Sequence, residues 1–149
     1  MRKIVYAFLT VMMLGMCTTM EAKKVQTPKM YIFGMAASFN DTIVWFTDIQ
    51  EIDSAWIDKK NNFLQAREQY SNQLRNFLAT KKQMPRRTCI VYANTNRKKA
   101  GKKYEKMKRL YMPSKKQHQQ YDIRNLEQSE FQFKTIDLRD FYDDVNAQE

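Results

Sequence analysis

Histidine, cysteine, glycine and proline are all scarce in this 149-residue chain, which holds 1, 2, 3 and 3 of them. Each shortage removes a class of chemistry. The single histidine, His118, lies in the polar run Ser114–Gln120, SKKQHQQ, with no orienting carboxylate in its context. General acid–base work by histidine needs such a partner and a sheltered pocket. With one histidine and, beyond residues 1–22, one cysteine, no zinc site is expected. Cys17 falls within the leading apolar segment, so Cys89 has no second thiol to pair with in the remainder of the chain, and the fold must rely on packing. Cys89 stands between Thr88 and Ile90 in an apolar run and reads as a buried, inert thiol, since reactivity requires exposure and a lowered pKa. None of the glycines falls in the loop Ala93–Asn96, ANTN, that precedes the most basic helix, so no backbone is built to wrap a phosphate there. Ser38 and Ser54 lack a G-x-S-x-G context. No cofactor is expected.

Long apolar runs are equally few, and the one at the start sets the address. Arg2 and Lys3 precede Ile4–Met16, an uncharged and mostly apolar stretch. Such a stretch reaches about 20 Å as a helix, against roughly 30 Å of hydrocarbon core. It therefore reads as the h-region of a signal peptide, residues 1–22, cleaved after Ala22. A lipoprotein signal ending at Cys17 is the alternative, and Met16 puts a bulky residue where that signal wants a small one. The protein is expected to be exported, to the periplasm or beyond, with no transmembrane span in what remains. Residues 23–138 suffice for one domain and are too few for two. The acidic residues 139–149 are expected to fray.

The rest of the chain is punctuated by Pro28, Pro85 and Pro113. Met30–Phe39 and Thr42–Ile49 are rich in aromatic and β-branched residues and flank Asn40-Asp41, predicting a hairpin. Asp53 and Ser54 are N-cap candidates for a helix over Ala55–Lys82, where Trp56, Phe63, Tyr70 and Phe77 recur every seventh residue. Lys60 and Arg67 fall inside that stripe. The spacing predicts that Arg67 either lays its stem along apolar surface or meets a carboxylate such as Asp48 or Glu51. Thr88–Ala93 reads as a central strand buried on both faces. Thr95 or Asn96 caps a helix over Arg97–Met112, which Pro113 ends. Tyr121–Leu126 suggests a turn of helix, and Glu130–Leu138 alternates like an edge strand. The order β-β-α-β-α-β implies a single small α/β domain: a mixed four-stranded sheet packed by two helices, its crossovers joining parallel neighbours.

The segment Phe33–Lys60, FGMAASFNDTIVWFTDIQEIDSAWIDKK, together with Thr88–Ala93, resembles small exported α/β proteins found in Gram-negative gut bacteria. That group has no established activity, so the resemblance implies export and a fold class and assigns no functional residue.

What the chain does have is concentrated positive charge. Its formal net charge is +10, from 26 Lys or Arg against 16 Asp or Glu. Residues 97–116 hold ten of those cations against Glu105 alone, which equals the whole net charge left once residues 1–22 are removed. On the helix, Ala100, Tyr104, Met107 and Tyr111 share one face. Lys98, Lys99, Lys102, Lys106 and Arg109 lie on or beside the other, and these five are the candidate contacts to an anionic partner. Like charges four apart at Lys98, Lys102 and Lys106 cost a few tenths of a kcal/mol each where opposite charges would help, and two readings fit them, a solvated outer face or a surface for an anionic partner. The partner class is an anionic envelope component or an acidic protein. Nucleic acid ranks below these, because Tyr104 and Tyr111 fall on the core face and leave no aromatics among the cations for base stacking. The competing reading is a metal-dependent or hydrolase-like enzyme built on Asp48 and Glu51, the acids near the second strand that capping, turn and helix-dipole roles leave unexplained.

Overall fold

In the computed structural model, which describes residues 23–114 and 120–139, the sheet is built on one long strand, β1 (Lys24–Ala37). The expected signal segment 1–22 with Cys17, as well as His118 and the tail beyond Arg139, lie outside the described residues. Two strands follow, β2 (Ile43–Thr47) and β3 (Gln50–Asp58), and both run antiparallel to β1. They share one of its edges, because the other edge is taken by β5 (Thr88–Asn94), which pairs antiparallel with β1 from Tyr31 to Ala37. Met35 faces Phe46 and Ile32 faces Gln50, so Phe33 and Gly34 oppose Thr47, Asp48 and Ile49. The extra residue is a bulge. It turns Asp48 out of the ladder, where its N–H donates to the Leu126 carbonyl at 3.0 Å.

The helix expected over Ala55–Lys82 begins as strand and turn, and only Arg67–Lys81 is helical. Gln50–Asp58 pairs along β1 instead, and the cause is visible in the partner. A 14-residue β1 offers a ladder to this whole segment, and Ile52, Ala55 and Ile57 then bury against the core. Pro28 lies opposite Ser54, the one step at which the ladder breaks. Proline has no N–H to give, and Ser54 adopts a left-handed φ of 55°. Both strands change phase there, from Thr27 to Met30 and from Ile52 to Ala55, so the buried side stays buried. Asp53 and Ser54 are thus strand residues, not caps. The next residues form a turn: Asp58 Oδ1 accepts from Lys60 N–H, Asn61 Oδ1 from Phe63 N–H, and Asn62 is left-handed. β4 (Phe63–Leu64) folds back on the end of β3. Only then does α1 (Arg67–Lys81) begin, burying Tyr70, Ser71, Leu74 and Leu78. Aromatics seven apart fit a helix, but two of the four, Trp56 and Phe63, are strand residues.

The sheet therefore has six strands, not four, in the order β4-β3-β1-β2-β6 with β5 on the far edge of β1. β6 (Asp122–Leu126), expected as a helical turn, pairs parallel with β2. The second crossover joins strands of like direction, β5 and β6, but the first leads from β4 to a β5 that runs opposite to it; β1 lies between β3 and β5, and β5 lies beside β1 antiparallel rather than beside a parallel neighbour. β5 is consequently an edge strand, against the expectation of a central one. Its uninterrupted apolar run is explained by layers rather than neighbours. Cys89 and Val91 face the α1 side, while Tyr92 stacks near Phe33 under the second helix, α2 (Arg97–Arg109).

The domain is α/β, with a mixed sheet between two unequal layers. On one face, α1 and residues 127–138 cover Met30, Ile32, Trp45, Ile52 and Val91. On the other, Tyr104 and Met107 of α2, with Tyr111 just past its end, pack on Met35, Val44 and Phe46. Glu130–Leu138 joins no ladder. It is an extended strap whose main chain is held by side chains. Gln50 Nε2 donates to the Phe131 carbonyl and Gln50 Oε1 accepts from Phe133 N–H, both at 2.8 Å. Gln73 does the same for Lys134 from α1, again at 2.8 Å each way. Ile136 N–H donates to the Tyr70 hydroxyl and Thr135 Oγ1 donates to the Asp53 carbonyl. An amide side chain carries one donor and one acceptor side, so each glutamine replaces one residue of a missing partner strand. No helix among the described residues is long and apolar enough to cross a membrane.

Candidate functional site

The basic helix is positioned by its core face and its cap. Asn96 stands at the N-cap in extended conformation, its Oδ1 accepting from Lys99 N–H at 3.1 Å. Ala100 is buried. Tyr104 stands edge-on to both Phe33 and Phe46, with ring centroids 5.1 and 5.6 Å away, and its hydroxyl reaches Asn125 Oδ1 at 3.3 Å. Tyr111 lies edge-on to Phe46 and Tyr121. Burial raises the pKa of both tyrosines above the ordinary phenol value, so they remain neutral packing residues.

Anchored in this way, α2 divides its cations into two sets. Arg97 lies over Tyr31, Lys103 over Tyr92 and Lys108 over Tyr104, at 5.9, 5.7 and 5.5 Å from the ring centroids. Those three are engaged with the fold by cation–π attraction. The other five are Lys98, Lys99, Lys102, Lys106 and Arg109, the same five expected as partner contacts. All are exposed. Among the described residues, the ion pairs of this protein involve none of them. Glu105 lies on the same outer side and is the helix's one acid. The first turn holds no acidic residue to complement the helix dipole.

The alternative acidic site does not assemble. Asp48 Oδ1 accepts from Asn125 Nδ2 at 2.8 Å and Oδ2 from Gln128 N–H at 3.0 Å. With both oxygens engaged, Asp48 braces the chain after β6 against the bulge. Glu51 pairs with Lys29 across β1 and β3, which lowers the carboxyl pKa and raises that of the amine. Asp41 pairs with Arg87 at 2.6 Å, and that bond holds its carboxyl below the usual carboxylate range. Among the described residues no three potential metal ligands come together. Arg67 meets neither Asp48 nor Glu51. Its Nη2 donates to the Val91 carbonyl at 2.9 Å, and its guanidinium stacks 4.5 Å from the Phe63 ring centroid. Cys89 is buried, and burial pushes its thiol up to about 11.

Two hollows bear on function. One, about 530 Å³ between α1 and residues 128–134, is remote from α2, and its carboxylate, Glu130, is paired with Lys82. A second, about 380 Å³, lies between the flank of α2 and β5 and is lined by Ile90, Tyr92, Lys103, Met107 and Leu110 among others. Sequence reading located the cations but missed this groove. The signal was available in Ile90 and Leu110, whose exposures of 41% and 66% follow from β5 being an edge. That edge could not be inferred while β5 was taken as central.

No protein-family model matches the chain, and comparison with curated proteins and with solved structures likewise finds no match. Function has to be read from this geometry.

Proposed function

We propose that this is an exported, non-enzymatic binding protein that presents the outer face of α2 to an anionic partner, either an anionic envelope component or an acidic protein. The observation that carries the reading is the division of the helix cations. Three lie over aromatic rings, two of the sheet and one of the helix itself, and five project from the surface with no carboxylate partner among the described residues. Simple solubility would be served as well by mixed signs, which also stabilise a helix. A single-sign face gives up that gain and gains attraction for an anion. Near an anionic surface each basic residue contributes about 1 kcal/mol.

The test is retention on heparin and on anionic liposomes across a salt series. Attraction of this kind weakens as the Debye length contracts to about 10 Å at 0.1 M salt. Replacing Lys98, Lys102, Lys106 and Arg109 by Gln should abolish most of the retention and flatten its salt dependence, while thermal melting stays put, since none of the four supports the core. Unchanged retention in that variant would refute the reading.

A further inference from the structure

Arg67 has a fixed position and no counter-ion. Among the described residues no ion pair involves it. It is half-buried, which raises the cost of leaving its charge unmatched. Two contacts hold it. Nη2 donates to the Val91 carbonyl at 2.9 Å, and the guanidinium carbon lies 4.5 Å from the Phe63 ring centroid. A guanidinium carries five N–H donors. Val91 takes one of the two on Nη2, and whichever it takes, another edge keeps two parallel N–H groups. Such an edge binds a carboxylate through both oxygens.

Arg67 also lines a hollow of about 270 Å³ between the β3–β4 turn and the end of β5. Among the described residues, none of those lining it is acidic. Asn61 and Asn94 line it from opposite sides, and each has its side-chain oxygen engaged. Phe63 N–H donates to Asn61 Oδ1 and Asn96 N–H donates to Asn94 Oδ1, both at 2.9 Å. An N–H partner fixes which end of the amide is oxygen, so each asparagine has its Nδ2 donors left over. Asn62 adds a third amide. Phe63 is exposed and Tyr92 half-buried, and their rings give the hollow its apolar surface. The hollow thus combines one cation, neutral donors around it and two aromatic rings.

We propose that this hollow binds a sugar acid residue of an anionic polysaccharide, with the carboxylate on the free edge of Arg67 and hydroxyl oxygens on the Asn61 and Asn94 amides. The chemistry of the lining selects the ligand. A phosphate or sulfate is best met by several converging charges, and here there is one. An acidic peptide brings main-chain N–H groups, which cannot accept from these donors. A sugar acid brings one carboxylate, hydroxyl and ring oxygens that can all accept, and C–H faces for the rings of Phe63 and Tyr92. Arg67 and Tyr92 also line the 380 Å³ groove that leads to Lys103. A polysaccharide can therefore continue from the hollow along that groove, and its next carboxylate meets Lys103. The site uses none of the five outward cations of α2, so it stands or falls apart from the reading of that face.

The probes are trigalacturonate, its uncharged methyl ester and triglutamate, each titrated into the protein by calorimetry. Trigalacturonate should bind, and the ester and triglutamate should bind at least about tenfold more weakly, as expected for losing a hydrogen bond to a charged group. Asn61→Asp and Asn94→Asp each keep the oxygen that holds the turn and put a carboxylate where the donor was. Each should weaken trigalacturonate at least about tenfold while thermal melting stays put. Arg67→Lys keeps the charge but loses the two-donor edge, and should weaken it likewise. The variant with Lys98, Lys102, Lys106 and Arg109 replaced by Gln should still bind trigalacturonate. No binding of trigalacturonate, or Asn→Asp variants that bind it as the wild type does, overturns the sugar-acid site and leaves the α2 reading standing. Equal binding of triglutamate makes an acidic peptide the ligand and overturns it as well. Binding that only the Gln variant loses puts the anion on α2 and has the same consequence.

Discussion

Gln50→Leu should be among the most damaging single changes outside the apolar core. Gln50 is 2% exposed, and among the described residues its amide is the bridge by which β3 holds the strap at Phe131 and Phe133. Leucine fits the volume but leaves the Phe131 carbonyl and the Phe133 N–H buried without partners. A buried group stripped of its partner costs about 1–3 kcal/mol, so the pair should cost about 2–6 kcal/mol. A domain of this size has about 5–15 kcal/mol to lose. With a urea slope of about 1–3 kcal/mol per molar, the midpoint should fall by about 1 M or more. Gln73 makes the same two bonds to Lys134, but in a solvent-exposed setting. Water can replace it there, so Gln73→Ala should cost only about 0.5–1.5 kcal/mol. Urea unfolding of both variants, with amide exchange at Phe133 and Lys134, measures the contrast. Equal costs, or less than about 1 kcal/mol for Gln50→Leu, would show that the strap is held by Phe131 and Phe133 packing and not by the amide.

Gln50→Glu sharpens the same test through pH. The introduced carboxyl keeps the acceptor for Phe133 N–H, but when ionised it turns a lone pair toward the Phe131 carbonyl. Burial favours the neutral acid, so the folded-state pKa should lie above the unfolded value of about 4.3. The variant should therefore approach wild-type stability below about pH 4 and lose it progressively as pH rises through the folded pKa. A stability difference independent of pH would refute the placement of that oxygen.

Gly34→Ala should destabilise by about 1–3 kcal/mol, the usual cost of overpacking. A Cβ there would fall 2.7 Å from Leu74 Cδ2 and 3.0 Å from Phe133 Cζ, and Leu74 is fully buried, so its side chain would have to shift within the core; thermal melting reads the loss. Asp41→Asn should cost about 1–3 kcal/mol at neutral pH, because the Arg87 side chain is only 2% exposed and loses its carboxylate. Asp41 has a folded pKa below its unfolded value of about 3.9, so its contribution is present above that value and lost as pH falls through the folded one. The wild type should show an acid-unfolding step that Asp41→Asn lacks, measured by circular dichroism from pH 5 to 2.

The parts of this fold that the sequence revealed are those set by local chemistry. Asn96 caps α2, and Tyr104 and Tyr111 face the core, as spacing implies, although the helix ends at Arg109, short of the expected Met112. The parts it concealed depend on distant partners. Whether Ala55–Asp58 becomes helix or strand is decided by β1, whose length gives it a ladder. The turn signal in Asn61-Asn62 was present and was outweighed by aromatics seven apart. Glu130–Leu138 alternates as a strand does, yet its pairing partners are Gln50 and Gln73, 83 and 61 residues back in sequence. Nothing local marks a glutamine as a substitute strand. The five outward cations were legible because surface charge needs no tertiary partner to declare itself. The groove beside them was not, since it exists only once β5 is an edge.

The stability of α2 clarifies why its outer face is free to be basic. Repulsion between Lys98 and Lys102, Lys102 and Lys106, and Lys99 and Lys103 costs about 0.2–0.5 kcal/mol per pair. Against this stand the edge-on contacts of Tyr104 with Phe33 and Phe46 and of Tyr111 with Phe46 and Tyr121, each contributing about 0.5–1.5 kcal/mol beyond the area it buries. The buried face outweighs the charged one, so the helix persists without its partner. No bound anion is required for folding. The basic surface is already in place, with Lys98, Lys99, Lys102, Lys106 and Arg109 exposed.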